Sequence, residues 1–384
     1  MTIDTDPVAA ALGDLARGQM IVVIDDEDRE NEGDLIMAAE FATPSAVAFL
    51  VRHTSGLLCV SLPEETADAL GLPHMVTGGG DDVRGTAFTV TCDFASLTGT
   101  GISATDRATT VRALAAPATR AADLTRPGHV MPLRARRGGV LTRRGHTEAA
   151  GDLCRLAGIS PVGVLCEIVN DDGSMARGAQ LRRFADTHRL TMISVADLVT
   201  YRRRTESHVH RATAARIPTR YGQFTAIAYS DTGETNAPAD ATEHVALVLG
   251  DVTKPGRPVL AHVHFECVTG DIFGSRRCEC GEQLQQAMQV IGHEGRGVVV
   301  YLRGHRGRGI GLAVKLRSHA LHDTGFDVVD ANQCADAHDC IAAAHILRDL
   351  QIGAVQLLTD NPDEHRQLVD LEPTEQLAAA ALAG

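Results

Sequence analysis

The chain has 384 residues and a formal net charge of −13, with only 3% aromatic residues and no tryptophan. This charge and composition argue against the basic surface and the stacking side chains that nucleic-acid-binding proteins use. The acidic N-terminus has no signal-peptide pattern, no apolar stretch approaches a membrane span, and nine cysteines, an odd number, favour reduced thiols. We expect a cytoplasmic protein that binds neither nucleic acid nor membranes.

Strand-like and helix-like segments alternate through residues 1–205. Strands are predicted at Ile21–Ile24, Leu57–Val60, Ala87–Thr91 and Val162–Val169, and helices at Pro44–Arg52, Thr105–Ala115 and Thr147–Ala157. Such alternation predicts an α/β domain. The chain is long enough for two domains, each with its own core.

A segment dense in charged residues, Tyr201–Arg211, is predicted to be a linker. We expect residues 206–384 to form a second, unlike domain of the α+β class. Its predicted strands are Phe224–Tyr229, Val245–Leu249, Val259–His264 and Val298–Leu302, and its clearest helix begins at Cys280. We also predict a polar loop at Thr232–Ala241 and a frayed end at Leu377–Gly384.

The most informative segment is Asp25–Asp34, in which seven carboxylates follow the β-branched run Ile21–Ile24. A solvated charged face is the plainer interpretation of such a run. The preceding strand, however, places these acids at a strand end, where α/β proteins bind ligands. Carboxylates held together repel one another unless a cation or a hydroxyl-rich ligand shares them. The segment therefore predicts Mg²⁺ and a polyol ligand.

A second candidate segment is Gly138–Glu148, where Gly145 precedes a predicted helix start. Backbone N–H groups there, with Arg143 and Thr147, are placed to bind an anion such as phosphate. His146 would add a nitrogen ligand to the cation that the carboxylates hold. A capping or surface role is the ordinary explanation of a single histidine after glycine. His146 is therefore a candidate metal ligand only because it occurs together with the acidic segment.

Two further segments complete this set: Arg126–Arg134, which contains His129, and the strand end Cys166-Glu167. Together the segments resemble 3,4-dihydroxy-2-butanone 4-phosphate synthase of riboflavin biosynthesis. The resemblance covers residues 8–203, and its motifs are Asp25–Asp34, Gly85–Val90, Gly101–Arg107, Arg126–Val130, Arg143–Glu148 and Gly163–Glu167. It implies a synthase domain at residues 1–205 that converts D-ribulose 5-phosphate into a four-carbon ketone phosphate and formate, and a homodimer.

The resemblance also implies roles for individual residues. Glu30 and His146 would hold Mg²⁺, or Mn²⁺ in its place, and His129 and Glu167 would be catalytic. The implied substrate contacts are Arg29, Glu30, Asp34, Arg143, His146, Thr147 and Glu167. The reaction requires several proton transfers beside a carbonyl, which suits a metal ion together with acid/base groups of different pKa.

The second half contains three closely spaced cysteines. They are Cys267, Cys278 and Cys280. Thiolates at this spacing predict a Zn²⁺ site. Three ligands leave a fourth position for water, as in catalytic zinc sites, whereas a closed structural site would use His264, Cys334 or Cys340 as the fourth ligand. Both alternatives stay open at this point.

A segment rich in Gly and Arg, Arg303–Leu312, follows and suits phosphate groups. With the cysteines it resembles GTP cyclohydrolase II, from about Ala215 to Asn361. The resemblance implies Zn²⁺ on the three cysteines and GTP as a ligand. Retained substrate contacts would be Glu266, Gln283, Arg308 and Thr359. Asp336 matches the family's proton acceptor, while His338 stands where the family has a nucleophilic arginine.

Further positions depart from the same family pattern. They are His262 for arginine, Arg306 for glutamate, His319 for tyrosine, Val328 for threonine and Glu364 for lysine. Glu364 places negative charge where a triphosphate is expected, and Val328 removes a hydroxyl group. The segment before Ala335 is shorter than usual, and the chain ends before the family's C-terminal tail. We therefore expect a domain at residues 206–384 that keeps zinc and its fold but has lost most or all activity.

The fusion as a whole resembles the bifunctional riboflavin biosynthesis enzymes, and this leaves two alternatives for the second half. In one, it converts GTP into 2,5-diamino-6-ribosylamino-4(3H)-pyrimidinone 5′-phosphate, formate and pyrophosphate. In the other, it binds GTP as a regulatory module without turnover. Pyrophosphate release from GTP distinguishes the first alternative from the rest.

Overall fold

The computed structural model describes residues 4–76, 84–97, 99–232, 242–303, 312–324, 337–359 and 377–380. The chain divides into two compact units, Met1–Arg202 and Arg203–Gly384. Within the described ranges, each unit is built on its own seven-stranded sheet of mixed direction. The predicted two-domain architecture of strands and helices is confirmed. In these ranges no helix has the length and apolar character needed to cross a membrane.

The first unit alternates helices and strands. Its elements are α1 (Val8–Ala16), β1 (Ile21–Ile24), β2 (Gly33–Ala38), α2 (Pro44–His53), β3 (Cys59–Pro63), α3 (Glu64–Ala69), β4 (Cys92–Phe94), α4 (Ala104–Ala115), β5 (Leu124–Ala135), α5 (His146–Leu156), β6 (Gly163–Glu167), α6 (Ala179–His188), β7 (Met192–Ser194) and α7 (Val195–Thr205). The strand order across the sheet is β4-β5-β3-β6-β2-β1-β7. The predicted strand at Ala87–Thr91 is wrong, because only isolated bridges at Phe88 and Thr89 form there.

Strand β1 is buried along its whole length because both of its faces are covered. Val22 and Ile24 belong to one apolar cluster, while Ile21 and Val23 belong to another. Alternate residues of a strand point to opposite faces, so an all-apolar strand requires a layer on each side. The acidic segment therefore starts where a fully buried strand ends.

Strand pairing then decides which groups meet the acidic segment. β1 and β2 are antiparallel, with Ile24 opposite Gly33, so the intervening loop folds back over the strand ends. β2 also pairs with β6, which places Asp34 opposite Glu167. These two carboxylates, distant in sequence, are neighbours because of register alone.

The predicted linker at Tyr201–Arg211 is wrong. α7 continues to Thr205 and β8 begins at Val209. The buried guanidinium of Arg202 donates to Asp152 Oδ2 and to the Gly138 carbonyl, at 2.7 Å each. Charge density suggested exposed chain, but a buried ionic partner allows this arginine to lie inside the fold.

The second unit is rich in antiparallel strands. Its elements are β8 (Val209–Thr219), β9 (Gly222–Asp231), β10 (Thr242–Leu249), β11 (Val259–Phe265), α8 (Cys280–Glu294), β12 (Gly297–Leu302), α9 (Leu312–Asp323), α10 (Ala337–Asp349), β13 (Val355–Leu358) and β14 (Leu377–Ala380). The strand order is β14-β13-β11-β12-β10-β9-β8. The prediction that the chain frays from Leu377 is wrong for Leu377–Ala380, which pair with β13. Most of the predicted loop Thr232–Ala241 lies outside the described residues.

A buried histidine makes the second unit sensitive to acid. His345 of α10 is 4% exposed. Burial, together with the positive charge of Arg348 and His208, lowers the pKa of His345 to about 4. Because this pKa lies below the ordinary 6.5, protonation favours the unfolded chain. The contribution of His345 to the free energy of unfolding is fully present above its ordinary pKa. It is lost as the pH falls towards the pKa of the folded state.

We therefore expect the free energy of unfolding of the second unit to fall by about 2–3 kcal/mol between neutral pH and about pH 4 through this group. The measurement is hydrogen exchange of the α10 amides in the full chain at both pH values. His345→Leu should remove this part of the pH dependence, whereas His210→Leu, at an exposed position of β8, should not. Equal pH dependence in His345→Leu and the wild type would contradict the prediction.

Candidate active site and metal centres

Asp25 organises the acidic loop of the first unit. It is 6% exposed, and its carboxylate accepts hydrogen bonds from the Glu32 N–H (2.8 Å), the Glu30 N–H (3.0 Å) and Arg29 (2.8 Å). A buried carboxylate that accepts several N–H groups folds the chain around itself. The loop is thus a defined turn that presents Arg29 and Glu30, rather than a solvated run of charge.

Glu30, Asp34 and His146 meet at the ends of β1 and β2. His146 Nδ1 lies 3.7 Å from Glu30 Oε2 and 3.6 Å from Asp34 Oδ1. Asp25, Glu30 and His146 offer ligand atoms within 4.8 Å of one another. Asp34 Oδ1 and His146 Nε2 are buried without a hydrogen-bond partner in the described part of the chain. Unpartnered buried atoms among carboxylates fit a bound cation.

The charges of this cluster also favour a cation. Burial raises the pKa of Asp34 to about 7, against the opposing charge of His146. The contact with His146, followed by the positive charge of Arg29, lowers the pKa of Glu30 to about 2. Burial lowers the pKa of His146, but Asp34 and Glu30 outweigh it and raise the value to about 9. The carboxylates that favour a protonated imidazole would equally favour Mg²⁺ or Mn²⁺, which prefer oxygen ligands and accept an imidazole.

Glu167 and Thr147 border the same cluster. Glu167 ends β6 opposite Asp34, and its Oε2 accepts a hydrogen bond from the Ser55 hydroxyl at 2.6 Å. Thr147 is buried in the first turn of α5, and its carbonyl accepts from Ser61 at 2.6 Å. Both residues therefore lie on regular elements of the unit, at the end of β6 and in the first turn of α5.

Two guanidinium groups approach the start of α5. A Cβ added at Gly145 would contact Arg143 and Glu148 and would lie 3.0 Å from Arg29 Nη2. Arg143 donates to Glu148 at 2.6 Å and to Thr86 at 3.0 Å. Glycine at this position lets both cations lie close to a helix N-terminus, an arrangement that suits an anion.

His129 is held by a carboxylate that the sequence did not indicate. Its Nδ1 lies 2.6 Å from Asp93 Oδ2, and its backbone N–H donates to Asp93 Oδ1 at 2.9 Å. A Cβ at Gly101, which has φ of 96°, would collide with both side chains. Because Asp93 binds Nδ1, the other ring nitrogen of His129 is the one oriented for proton transfer.

We expect Asp93→Asn to lower formate production from D-ribulose 5-phosphate by about 10²–10⁴-fold, because the amide no longer fixes the ring tautomer. Steady-state assays should show the loss mainly in kcat. Asp123→Asn is the matched control, because Asp123 caps a surface turn at Arg120. Activity of Asp93→Asn close to that of the wild type would remove the positioning role.

In the second unit, Cys267, Cys278 and Cys280 come together. Their sulfur atoms lie within 4.8 Å of one another, and those of Cys267 and Cys278 are 3.6 Å apart. A Cβ on Gly270 would lie 3.1 Å from both of these sulfurs, so the turn that follows Cys267 must be close to the thiols. Thiolate sulfur is a common ligand of Zn²⁺, so this cluster of three sulfur atoms fits a zinc site.

The surrounding charges make these thiols unequal. Burial raises the pKa of Cys267, but hydrogen bonds from Lys315 (2.8 Å) and the Gly270 N–H (3.3 Å) outweigh it and lower the value to about 7. Burial raises the pKa of Cys280, and the other two thiols add to the effect. Ionising all three thiols together requires a cation, and Zn²⁺ would supply it.

Of the predicted alternatives for a fourth ligand, His264 is engaged elsewhere. Its Nε2 lies 3.0 Å from Asp271 Oδ1, and it is not part of the sulfur cluster among the described residues. Cys334 and the side chain of Cys340 lie outside the described residues. The described geometry therefore contains three ligands.

The predicted nucleotide contacts are only partly described. Glu266 follows β11 and lies 3.5 Å from Arg303 Nε, Gln283 is half-buried on α8, and Thr359 follows β13. Arg308, Asp336 and the side chain of His338 lie outside the described residues, as do Arg306, Val328 and Glu364. A cavity of about 380 Å³, lined in part by Thr269, Arg277 and His319, lies beside the sulfur cluster.

Three acidic residues with evident roles in these sites were not singled out from the sequence. They are Asp25, Asp93 and Asp271. Asp25 opens the acidic run and was recognisable as the acid nearest the buried strand. Asp93 had no such signal, because its partner His129 is distant in sequence. Asp271 lies close in sequence to its partners His264 and Cys267, but no pattern there indicated that its carboxylate would contact them.

Comparison with known proteins gives a consistent result. Residues 9–201 match the family model of 3,4-dihydroxy-2-butanone 4-phosphate synthase, and residues 209–377 match that of GTP cyclohydrolase II. The riboflavin biosynthesis protein RibBA of Rhodococcus erythropolis is 56% identical over 366 residues, covering 93% of this chain and 85% of that protein.

Two solved structures are also similar. RibBX of A. baumannii, described as a two-domain 3,4-dihydroxy-2-butanone 4-phosphate synthase, has 32% identity and a TM-score of 0.65, covering 98% of this chain and all of that one. A 3,4-dihydroxy-2-butanone 4-phosphate synthase with two magnesium ions has 46% identity and a TM-score of 0.51, covering 52% of this chain and 98% of that one.

These matches bear on the two halves differently. They support synthase activity in the first, and for the second they favour the bifunctional alternative over the impaired domain that we predicted from its sequence. Both family models match the one chain, in consecutive segments. The protein therefore belongs to the riboflavin biosynthesis family in which 3,4-dihydroxy-2-butanone 4-phosphate synthase is joined to GTP cyclohydrolase II.

Proposed function

We propose that residues 1–205 convert D-ribulose 5-phosphate into L-3,4-dihydroxy-2-butanone 4-phosphate and formate with Mg²⁺ or Mn²⁺. The observation that carries this proposal is the cluster of Glu30, Asp34 and His146, with two buried atoms that lack hydrogen-bond partners among the residues that the structure describes. Glu30 and His146 would hold the metal. When bound, it would stabilise negative charge on neighbouring substrate oxygens.

The side chains around the metal position supply the proton transfers. Asp34, with its pKa raised to about 7 by burial, can both accept and return a proton near neutral pH. Glu167 lies opposite it on β6. His129, oriented by Asp93, would serve as a further acid/base group. Groups with different protonation behaviour suit a reaction with several successive proton transfers.

The phosphate of the substrate would bind at the start of α5. Arg29 and Arg143 approach Gly145 there, and the N-terminus of a helix favours an anion. Thr147 and His146 follow directly in the chain. One short segment would thus contact the phosphate and the metal together, which fixes the orientation of a five-carbon sugar phosphate.

We further propose that residues 206–384 open the guanine ring of GTP, releasing formate and pyrophosphate, with Zn²⁺ held by Cys267, Cys278 and Cys280. The three-sulfur cluster and the match to GTP cyclohydrolase II support this proposal. Glu266, Gln283, Arg308 and Thr359 would contact GTP, with Asp336 as proton acceptor and His338 as the group at the nucleophile position. The substitutions at positions of the GTP cyclohydrolase II pattern, such as His338 for arginine, count against this second activity.

One experiment separates the activities. Purified full-length protein is incubated with D-ribulose 5-phosphate and, in a separate reaction, with GTP, and formate and pyrophosphate are measured. Formate from the first substrate is expected with Mg²⁺ and lost with a chelator. Pyrophosphate from GTP supports the second activity. GTP binding seen by calorimetry without release of pyrophosphate would instead support the regulatory alternative. If GTP is neither bound nor converted, the impaired domain is supported.

We also propose, from family precedent, that the protein is a cytoplasmic homodimer. The small-molecule substrates require no nucleic acid or membrane partner. Light scattering of the purified chain, giving twice the 40.7 kDa chain mass, would support the dimer, and the single chain mass would exclude it.

A further inference from the structure

In the first unit, the pairing between β3 and β6 changes register at the end of β6. Along the strands themselves the pairing is antiparallel, and Cys59 lies opposite Leu165. If this register continued without interruption, Leu57 would lie opposite Glu167, the last residue of β6. A leucine there would offer the Glu167 carboxylate no hydrogen bond from its side chain.

The observed register places a serine opposite Glu167 instead. An isolated bridge pairs Thr54 with Ile168, and the Ser55 N–H donates to the Glu167 carbonyl at 2.8 Å. The pairing has therefore moved by two residues, from Leu57 to Ser55. Extra residues of this kind re-aim side chains and are frequent beside active sites. We call Thr54–Leu57 the bulged turn.

The hydroxyl of Ser55 is directed at the Glu167 carboxylate. It donates to Glu167 Oε2 at 2.6 Å, and its oxygen accepts from the Leu57 N–H at 3.2 Å. An O–H···O⁻ bond of this length is among the stronger hydrogen bonds of proteins. In the part of the chain that the structure describes, no other donor reaches this carboxylate. Oε1 is thus the oxygen left for a substrate.

Buried groups fix the bulged turn, although Ser55 itself is exposed. Thr54 is 6% exposed, and its hydroxyl donates to the Leu50 carbonyl at 2.6 Å and accepts from the Gly56 N–H at 3.3 Å. Arg107 of α4, which is also 6% exposed, donates from Nη1 to the Gly56 carbonyl at 3.3 Å. The turn is therefore tied to α2 and to α4, and the position of the Ser55 hydroxyl is set by the fold.

The other neighbour of Glu167 cannot hold its side chain in place. β6 lies between β3 and β2, and Asp34 of β2 is directly opposite Glu167. Two carboxyl groups in this arrangement repel each other when both are ionised. The Ser55 hydroxyl, on the β3 side, supplies the donor that Asp34 does not, so the orientation of the Glu167 carboxylate depends on Ser55.

We propose that Ser55 is a positioning residue for proton transfer by Glu167, and that the bulged turn serves to present its hydroxyl. Ser55 binds Oε2, so that Glu167 takes up and returns the substrate proton at Oε1. Ser55 acts through Glu167 and needs no contact with the substrate. The inference rests on the proposed synthase activity, in which Glu167 is an acid/base group.

Steady-state formate release from D-ribulose 5-phosphate with Mg²⁺, measured on full-length variants, tests this role. Ser55→Ala should lower kcat by about 10–100-fold, because a misplaced acid/base group loses part of the 10²–10⁴-fold that such a group contributes. KM should stay close to that of the wild type, because the substrate contacts are kept. Ser55→Thr keeps a hydroxyl and should recover most of the lost kcat.

Ser174→Ala is the matched control. The Ser174 hydroxyl also donates to a carboxylate at 2.6 Å, that of Asp172, but in an exposed turn. Its removal should leave kcat unchanged. If Ser55→Ala does not fold, Ser55→Cys takes its place with the same expectations, because a thiol of similar size is a weak donor.

Three results would overturn the positioning role. They are a wild-type kcat in Ser55→Ala, a rise in KM without a fall in kcat, and a Ser55→Thr variant as slow as Ser55→Ala. A wild type that releases no formate contradicts the proposed function, and the role of Ser55 falls with it. Formate release by the wild type with any of the three results contradicts the role of Ser55 alone.

Discussion

Replacing Glu30 with glutamine is expected to lower formate release from D-ribulose 5-phosphate by at least about 100-fold, a loss typical of removing a group that stabilises developing charge. The amide keeps the shape of the side chain but removes the negative charge that faces His146 at 3.7 Å and Arg29 at 3.0 Å. Without it, only His146 of the proposed metal ligands remains. His146→Ala should give a comparable loss.

The control for this variant lies in the same loop. Glu27 is exposed, so Glu27→Gln makes the same chemical change away from the cluster and should leave activity unchanged. Zinc content, measured by metal analysis, should also be unchanged in Glu30→Gln, because the sulfur cluster belongs to the other unit. Formate release at the wild-type rate in Glu30→Gln would disprove the proposed metal position, and loss of zinc would show that the two sites are coupled.

The second large effect is expected at the sulfur cluster. Cys278→Ser should weaken zinc binding by more than about 100-fold, because removing a ligand costs more than removing one of its supporting groups. GTP-dependent pyrophosphate release, where the wild type shows it, should be lost with the metal. Formate release from D-ribulose 5-phosphate should persist, since Glu30, Asp34 and His146 are untouched.

Cys340→Ser provides the comparison. It makes the same change at a cysteine that the sequence allowed as a fourth ligand, and we expect it to retain zinc. Zinc loss in Cys340→Ser as well as in Cys278→Ser would favour a closed site with four protein ligands. Full zinc occupancy in Cys278→Ser would show that the three cysteines are not the metal site.

Much of both candidate sites was predictable because the relevant residues are close in sequence. The buried run Ile21–Ile24 placed the acidic segment at a strand end, and Gly145 placed His146 at the start of α5. The cysteine spacing indicated a metal site before any geometry was known. Within each segment local pattern is sufficient, whereas the meeting of Glu30 with His146 was inferred from the joint occurrence of the segments and from the family resemblance.

Groups joined through strand register were not predictable in this way. Asp93 meets His129 across 36 residues because β4 pairs with β5. Asp34 lies opposite Glu167 through the β2–β6 register, and a shift of one residue would turn one of these side chains to the other face of the sheet. The resemblance to a known family assigned roles to His129, Asp34 and Glu167 but did not identify Asp93.

Burial also overrode local composition. Arg202 lies in a segment as charged as a linker, yet its buried pairing with Asp152 places it inside the fold. The sequence by itself determined the two-domain architecture, the acidic segment at a strand end and the cysteine cluster, because hydrophobic periodicity and short spacing act locally. The tertiary structure alone decided the Asp93–His129 pair and the placement of Asp34 opposite Glu167, because each depends on which strands lie side by side.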